Sequence, residues 1–207
     1  EGQHFTWARG EELMTDRFPE LARAMDFLPM GTVLDGEILA WGKGQPQNFN
    51  ALQKRIGRKT VPKKLLQEAP VILYAYDLLE WQGQDLRQTE FAKRRLLLSN
   101  LCADLPDDAP VRLSPTIGFV DWESLAQIRQ TARDAQAEGI MLKRMASPYL
   151  IGRKKGDWWK WKLDPLTIDA VMIYAQSGSG RRANLFTDFT FAVWKGNDLA
   201  PFTKAYS

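Results

Sequence analysis

Val33-Leu34-Asp35-Gly36-Glu37-Ile38 places two carboxylates and a glycine inside an otherwise apolar, β-branched run. A run of this length, bounded by turn residues, predicts a core strand over 32–40. A charged pair there is costly unless it faces a solvated cleft or meets a partner. The glycine is expected to let a ligand approach the backbone, although Asp-Gly alone is equally a turn signal. Three further segments follow in order: Tyr74-Ala75-Tyr76-Asp77, Glu138-Gly139-Ile140-Met141-Leu142-Lys143 and Trp158-Trp159-Lys160-Trp161-Lys162. Together they set carboxylates, an aromatic face and paired lysines on successive apolar runs, as binding a metal-chelated nucleoside triphosphate requires.

Outward from these segments, 71–79 reads as a second core strand, 140–142 as a third and 158–163 as a fourth. Apolar residues at helical spacing predict helices over 49–56, 89–101 and 122–135. Thr89 and Asp121 are the expected N-caps, and Lys93 to Arg95 are expected on the outer face of the second helix. Ser147-Pro148-Tyr149 predicts an extended turn. The alternation in 3–8 reads as a strand already in progress, and that end and the end after Gly196-Asn197-Asp198 both look cut. Asp164-Pro165 is the expected boundary between a domain at 1–164 and a second module at 165–207. In that module, strands over 167–176 and 184–194 flank the basic loop Ser177-Gly178-Ser179-Gly180-Arg181-Arg182. Two strands cannot stand alone, so they are expected to begin a larger β-module or to dock on the first domain.

The 207 residues, 44% of them hydrophobic, are enough for a real core. The single cysteine, Cys102, excludes an internal disulfide and a cysteine-rich zinc site. The single histidine, His4, makes Ser-His-Asp catalysis and a histidine-rich metal centre poor expectations. Carboxylates and lysines are left to carry any chemistry. Net charge is only +3, but positive residues concentrate at 55–64 and 153–162, which suits a polyanion and equally a solvated face. The sequence has no apolar run of bilayer length and no signal-peptide pattern at its start, so a soluble, cytoplasmic protein is expected.

Glu37 and Glu138 facing one cleft would suit Mg²⁺, which takes one or two carboxylates with phosphate oxygens and water. Tyr76 could stack on a purine or pack in the core. Lys160 and Lys162 share one strand face, with Trp159, Trp161 and Leu163 on the other. A phosphate between the two ammonium groups would relieve their repulsion, whereas a protective basic edge strand is the plain alternative. Arg9 in Arg9-Gly10-Glu11-Glu12 and Lys154 in Arg153-Lys154-Lys155-Gly156 read either as phosphate contacts or as solvated turns. The helix at 49–56, with its Lys54-Arg55, reads as a nucleic-acid contact or an ordinary surface helix.

On these residues the chain resembles the ATP-dependent DNA ligases of the covalent nucleotidyltransferase superfamily. Arg9-Gly10 looks like the family's arginine-glycine motif, with Ala8 where serine is usual. Asp35-Gly36-Glu37 resembles its third motif and Tyr76-Asp77 the motif whose ring stacks on adenine. Glu138 to Lys143, with Ser147-Pro148-Tyr149 after it, resembles the fourth motif and its DNA-ligase continuation, and Lys160 and Lys162 the fifth. The resemblance implies an α+β fold: a nucleotidyltransferase domain of antiparallel, ATP-grasp-like sheets with flanking helices, then the start of an OB-fold β-barrel. It implies nucleotide contacts from Arg9, Glu37, Tyr76, Lys154, Lys160 and Lys162. Metal would be held by Glu37 and Glu138, and Lys160 and Lys162 would serve as the catalytic lysines. ATP, as the AMP donor, and Mg²⁺ or Mn²⁺ are the implied cofactors. Nicked duplex DNA is the implied partner of a monomer that seals nicks through lysine-AMP and DNA-adenylate intermediates. The family's nucleophilic Lys-x-Asp-Gly is absent; Val33 holds the lysine position before the chain's only Asp-Gly. This chain is therefore expected to be an internal piece, unable to adenylate itself. An RNA ligase, an mRNA-capping guanylyltransferase or a non-catalytic nucleic-acid-binding module are the alternatives.

Overall fold

A computed structural model describes residues 2–58, 60–152 and 154–206. The chain runs β1 (Trp7–Ala8), β2 (Glu12–Leu13), β3 (Val33–Gly42), β4 (Gln45–Pro46), α1 (Phe49–Ile56), α2 (Lys63–Glu68), β5 (Val71–Trp81), β6 (Gln84–Asp85) and α3 (Phe91–Ala103). It continues through β7 (Val111–Leu113), α4 (Trp122–Gln130), β8 (Gly139–Lys143), β9 (Trp158–Lys162), β10 (Val171–Ser177), β11 (Phe186–Lys195) and β12 (Asp198–Tyr206). Its contacts divide it into two compact units, Glu1–Leu163 and Asp164–Ser207.

In the first unit, β3 and β5 pair antiparallel from Ala40↔Val71 to Val33↔Glu80, with register shifts at Val33/Leu34 and Asp35/Gly36. The tripeptide that opens the sequence reading thus sits at an irregularity, where added twist can re-aim side chains. Gly36 has a different reason from the one expected. A Cβ there would lie 2.8 Å from the Tyr74 carbonyl oxygen and 3.1 Å from the Ala75 Cα. The glycine admits β5 rather than a ligand. β7 adds parallel to β5, and β4 and β6 extend the sheet.

Two apolar clusters hold this sheet. Ala75, Leu78, Leu86, Leu98, Leu101 and Val111 pack α3 onto β5, while Met14, Phe18, Leu21, Leu52 and Val71 join α1 and the 3-10 segment Pro19–Asp26 to the strand ends. Burial of such side chains contributes roughly 1.5–3 kcal/mol each.

Two arginines expected at the surface lie in this interior. Arg94 of α3 is fully buried and clamps Asp77 of β5 through Nε–Oδ1 at 2.8 Å and Nη2–Oδ2 at 2.9 Å. Arg55 of α1 is also fully buried, donating to both Glu20 oxygens, Arg17 O and Ala69 O, so it is not available to nucleic acid. Thr89 is not the cap of α3. The helix starts at Phe91 after Glu90, which makes no side-chain cap bond. Its first free amides are tied instead by a distant segment, Phe91 N to Ser147 O at 2.8 Å and Ala92 N to Met145 O at 2.9 Å. Asp121 does cap α4 in a reciprocal box with Ser124. That helix ends at Gln130 and passes into a 3-10 turn, short of the expected residue 135.

β1 covers only Trp7–Ala8 of the strand expected over 3–8. It forms a hairpin with β2 around Arg9-Gly10-Glu11, with Gly10 and Glu11 both at positive φ. β8 and β9 form a separate antiparallel ribbon, from Gly139↔Lys162 to Lys143↔Trp158. The second unit is an antiparallel meander in the order β10-β11-β12. Its third strand goes beyond the two expected from sequence, and it contains Pro201. The proline sits on an edge strand opposite Ala192, next to a register shift, where a missing amide is tolerated.

Candidate functional site

All seven candidate site residues, Arg9, Glu37, Tyr76, Glu138, Lys154, Lys160 and Lys162, line one long groove of the first unit. β3 and β5 present Glu37 and Tyr76, the β1–β2 turn presents Arg9, and the β8–β9 ribbon presents the rest. Arg153, expected beside Lys154, lies outside the described residues.

The ribbon's geometry follows from its pairing. In β9, Trp158, Lys160 and Lys162 alternate onto one face, matched across β8 by Lys143, Met141 and Gly139. The opposite face carries Trp161, which lies 6.4 Å edge-to-face from Trp122 of α4 and under the Arg129 guanidinium. Close pairing requires Gly139: its φ is +148°, and a Cβ would lie 2.3 Å from the Trp161 carbonyl oxygen. The preceding residue, Glu138, receives Lys162 Nζ at 2.6 Å. The hydrogen bond and charge of Lys162 hold its carboxyl below the usual range. The lysine repulsion predicted from sequence is therefore eased by a side chain of the protein itself. Glu37 and Lys160 are exposed on the groove.

Asp35 has a role that its motif did not disclose. Its two carboxylate oxygens each accept a phenol, Tyr76 Oη at 3.0 Å and Tyr149 Oη at 2.8 Å. Burial first, then the charge and hydrogen bond of Asp35, raise the Tyr76 hydroxyl well above the ordinary tyrosine range. Burial and the same carboxylate raise Tyr149. Tyr76 is thus fixed at its hydroxyl, with its ring on the groove.

Behind that ring lies Lys143. Its Nζ is 3.8 Å from the Trp158 ring centre, 4.1 Å from Tyr76 and 4.8 Å from Phe91. Tyr149 packs edge-on against Trp158 at 5.6 Å, and Trp158 Nε1 donates to Ser147 Oγ at 3.2 Å. The segment after β8 is therefore the joint between ribbon and sheet. Sequence reasoning quoted Lys143, Tyr149 and Trp158 within motifs but gave them no role. The one available signal was an unexplained lysine ending an apolar strand.

Residues 1–162 match the family model described as ATP dependent DNA ligase domain. The chain is 33% identical over 214 residues to a probable DNA ligase of Koribacter versatilis, covering 94% of this chain and 37% of that protein. It is 34% identical over 200 residues to a DNA ligase of Natronomonas pharaonis, covering 96% of this chain and 35% of that one. It spans about a third of the length of these relatives. Among solved structures it is similar to the ligase domain from M. tuberculosis LigD, with a TM-score of 0.59 and 26% identity, covering 98% of this chain and 59% of that one. Among the described residues, no helix is long and apolar enough to cross a membrane.

Proposed function

The chain belongs to the ATP dependent DNA ligase domain family, and from that premise we propose that its groove is the nucleotide and phosphate site of an enzyme that seals nicks in duplex DNA. The convergence of Arg9, Glu37, Tyr76, Glu138, Lys154, Lys160 and Lys162 on one groove carries this reading. The groove-lining ring of Tyr76 takes the adenine, and Glu37 meets the ribose. Lys160 and Lys162 take oxygens of the α-phosphate, with Arg9 and Lys154 as further phosphate contacts. The Lys162–Glu138 pair opens when a phosphate replaces the carboxylate.

Glu37 and Glu138 fit Mg²⁺ or Mn²⁺ in one particular way. No group of three His, Cys, Asp or Glu stands together among the described residues. These two carboxylates therefore suit an ion carried in by phosphate oxygens rather than one caged by protein. When bound, the ion supplies charge neutralisation at phosphorus.

Each chemical step of ligation is a displacement at phosphorus, so positioning and charge neutralisation dominate. The sequence holds no Lys-x-Asp-Gly, and the residues present orient and neutralise rather than bond. In the closing step the 3′-hydroxyl attacks the adenylated 5′-phosphate, AMP leaves, and Lys160 and Lys162 hold the non-bridging oxygens. The second unit is read as the first strands of an OB-fold that clamps the duplex. The protein acts as a monomer in the cytoplasm.

A pre-adenylated nicked duplex tests this, because its sealing needs no lysine nucleophile. With Mg²⁺ the chain should join it and release AMP, and Lys162→Ala should slow joining roughly tenfold to a hundredfold. Failure to bind or join that duplex would overturn the proposal. Joining only when the 3′ strand is RNA would move the reading to an RNA ligase.

A further inference from the structure

Among the described residues, Lys143 alone places a lysine ammonium out of contact with water and without a hydrogen-bond acceptor. A buried cation is costly unless something replaces its hydration, and here three aromatic rings do so. Trp158 from β9, Tyr76 from β5 and Phe91 from α3 surround Nζ at 3.8, 4.1 and 4.8 Å. The remaining charges facing it are the carboxylates of Asp35 on β3 and Asp77 on β5, and the guanidiniums of Arg94 and Arg95 on α3. Asp77 is already clamped by Arg94 and Asp35 by the neutral phenols of Tyr76 and Tyr149. Among the described residues, no hydrogen-bond acceptor is left for the ammonium.

We propose that Lys143 is a positioning residue for nucleotide. Its ammonium fixes one face of the Tyr76 ring, so that the base of a nucleoside triphosphate stacks on the other face of a ring already held and polarised. The inference rests on the reading of Tyr76 as the stacking residue. Two restraints then act on one phenol. Asp35 holds the hydroxyl, and Lys143 holds the face, so little side-chain freedom is left to lose when the base arrives. A cation on one face also draws π density toward itself, which favours an electron-rich purine on the other.

Only the charged amine can do this. Burial, offset in part by Asp77 and Asp35, lowers its titration to about 8. The contribution to base binding is therefore present below that pH and fades as pH rises through it.

Calorimetric titration of the whole chain with ATP and Mg²⁺ between pH 7 and 9.5 tests the proposal, using wild type, Lys143→Met, Lys143→Arg and Tyr76→Leu. Wild-type affinity should fall roughly threefold to tenfold around pH 8, the range that a cation–π contact predicts. Lys143→Met should match the high-pH wild type at every pH. Lys143→Arg should restore affinity and remove the pH dependence, since arginine does not titrate there. Identical affinity and pH profile in wild type and Lys143→Met would overturn the proposal. Tyr76→Leu separates the two readings: weakened binding with an indifferent Lys143→Met refutes the role of Lys143 alone, and unchanged binding refutes the stacking role of Tyr76. Absence of ATP binding in wild type would remove both.

Discussion

Replacing Arg94 with Met should destabilise the first unit by about 3–5 kcal/mol, the cost of leaving one partner of a buried ion pair uncompensated. The magnitude follows from the geometry. Both side chains are fully buried, and the guanidinium meets both Asp77 oxygens, at 2.8 and 2.9 Å. Once it is gone, the carboxylate keeps only the Leu78 amide, at 2.9 Å. Arg94 also donates to the carbonyls of Thr89 and Ser147, tying α3 to the segment that carries Tyr149. Asp77→Leu should cost a similar amount. The double variant should recover most of the loss, because apolar groups of matched volume can replace a buried pair. Urea denaturation followed by tryptophan fluorescence reads the effect. With a slope of roughly 2 kcal/mol per molar urea, the midpoint of each single variant should fall by about 2 M at unchanged slope. A single-variant shift under about 0.5 M, or a double variant as unstable as the sum of the singles, would refute the argument.

Asp35→Ala should lower the alkaline titration of Tyr76 and Tyr149, followed by phenolate absorbance, and weaken ATP binding about tenfold. The linked stability runs with the same sign. Both hydroxyls titrate above the ordinary tyrosine value of 10.0, so their contribution is intact below pH 10 and lost as pH rises beyond it, and alkaline unfolding should sharpen there. Gly139→Ala should cost about 2–4 kcal/mol and loosen the β8–β9 ribbon, seen as faster amide exchange at Ile140 and Trp161. Lys143→Met should raise stability at neutral pH by about 1–2 kcal/mol, discounted for residual solvent screening. The unfolded lysine holds its proton to 10.5 and the folded one only to about 8, so the gain is full below pH 8 and gone above 10.5. A flat difference in thermal melting across that range would sink it.

The two central strands were legible because an apolar run bounded by turn residues has few other fates. Helix α1 was also read correctly, because apolar spacing of that kind persists over two turns. Tertiary pairing was not legible. Arg94 and Arg55 look like surface charge in any local window, since arginine is rarely buried, and only Asp77, 17 positions away, and Glu20, 35 positions away, reverse that expectation. The Asp35–Tyr149 bond spans 114 positions and leaves no periodic trace. Gly36 invited a ligand explanation because sequence records that a side chain is missing and not which neighbour needs the space. Helix α3 begins where it does for a similar reason: its free amides are met by carbonyls of Met145 and Ser147 rather than by a local cap.

How the fold treats its buried charges also bears on function. Arg55 and Arg94 each meet a carboxylate and backbone carbonyls, and only the Nε of Arg55 is left without an acceptor. Lys143 occupies the same unit, within reach of the same sheet, yet meets only rings. If burial alone governed that position, an apolar side chain would serve it better, because stability would rise and no hydration would be lost. A cationic head left without any carboxylate or carbonyl, while the buried guanidiniums nearby each meet a carboxylate, is the mark of a position with a second requirement. The three rings it touches all line the groove, and of these Tyr76 is the one held at its hydroxyl by Asp35. The unpaired ammonium and the doubly bonded carboxylate thus act on a single phenol from two sides, which is the arrangement needed to present a rigid face to a planar base.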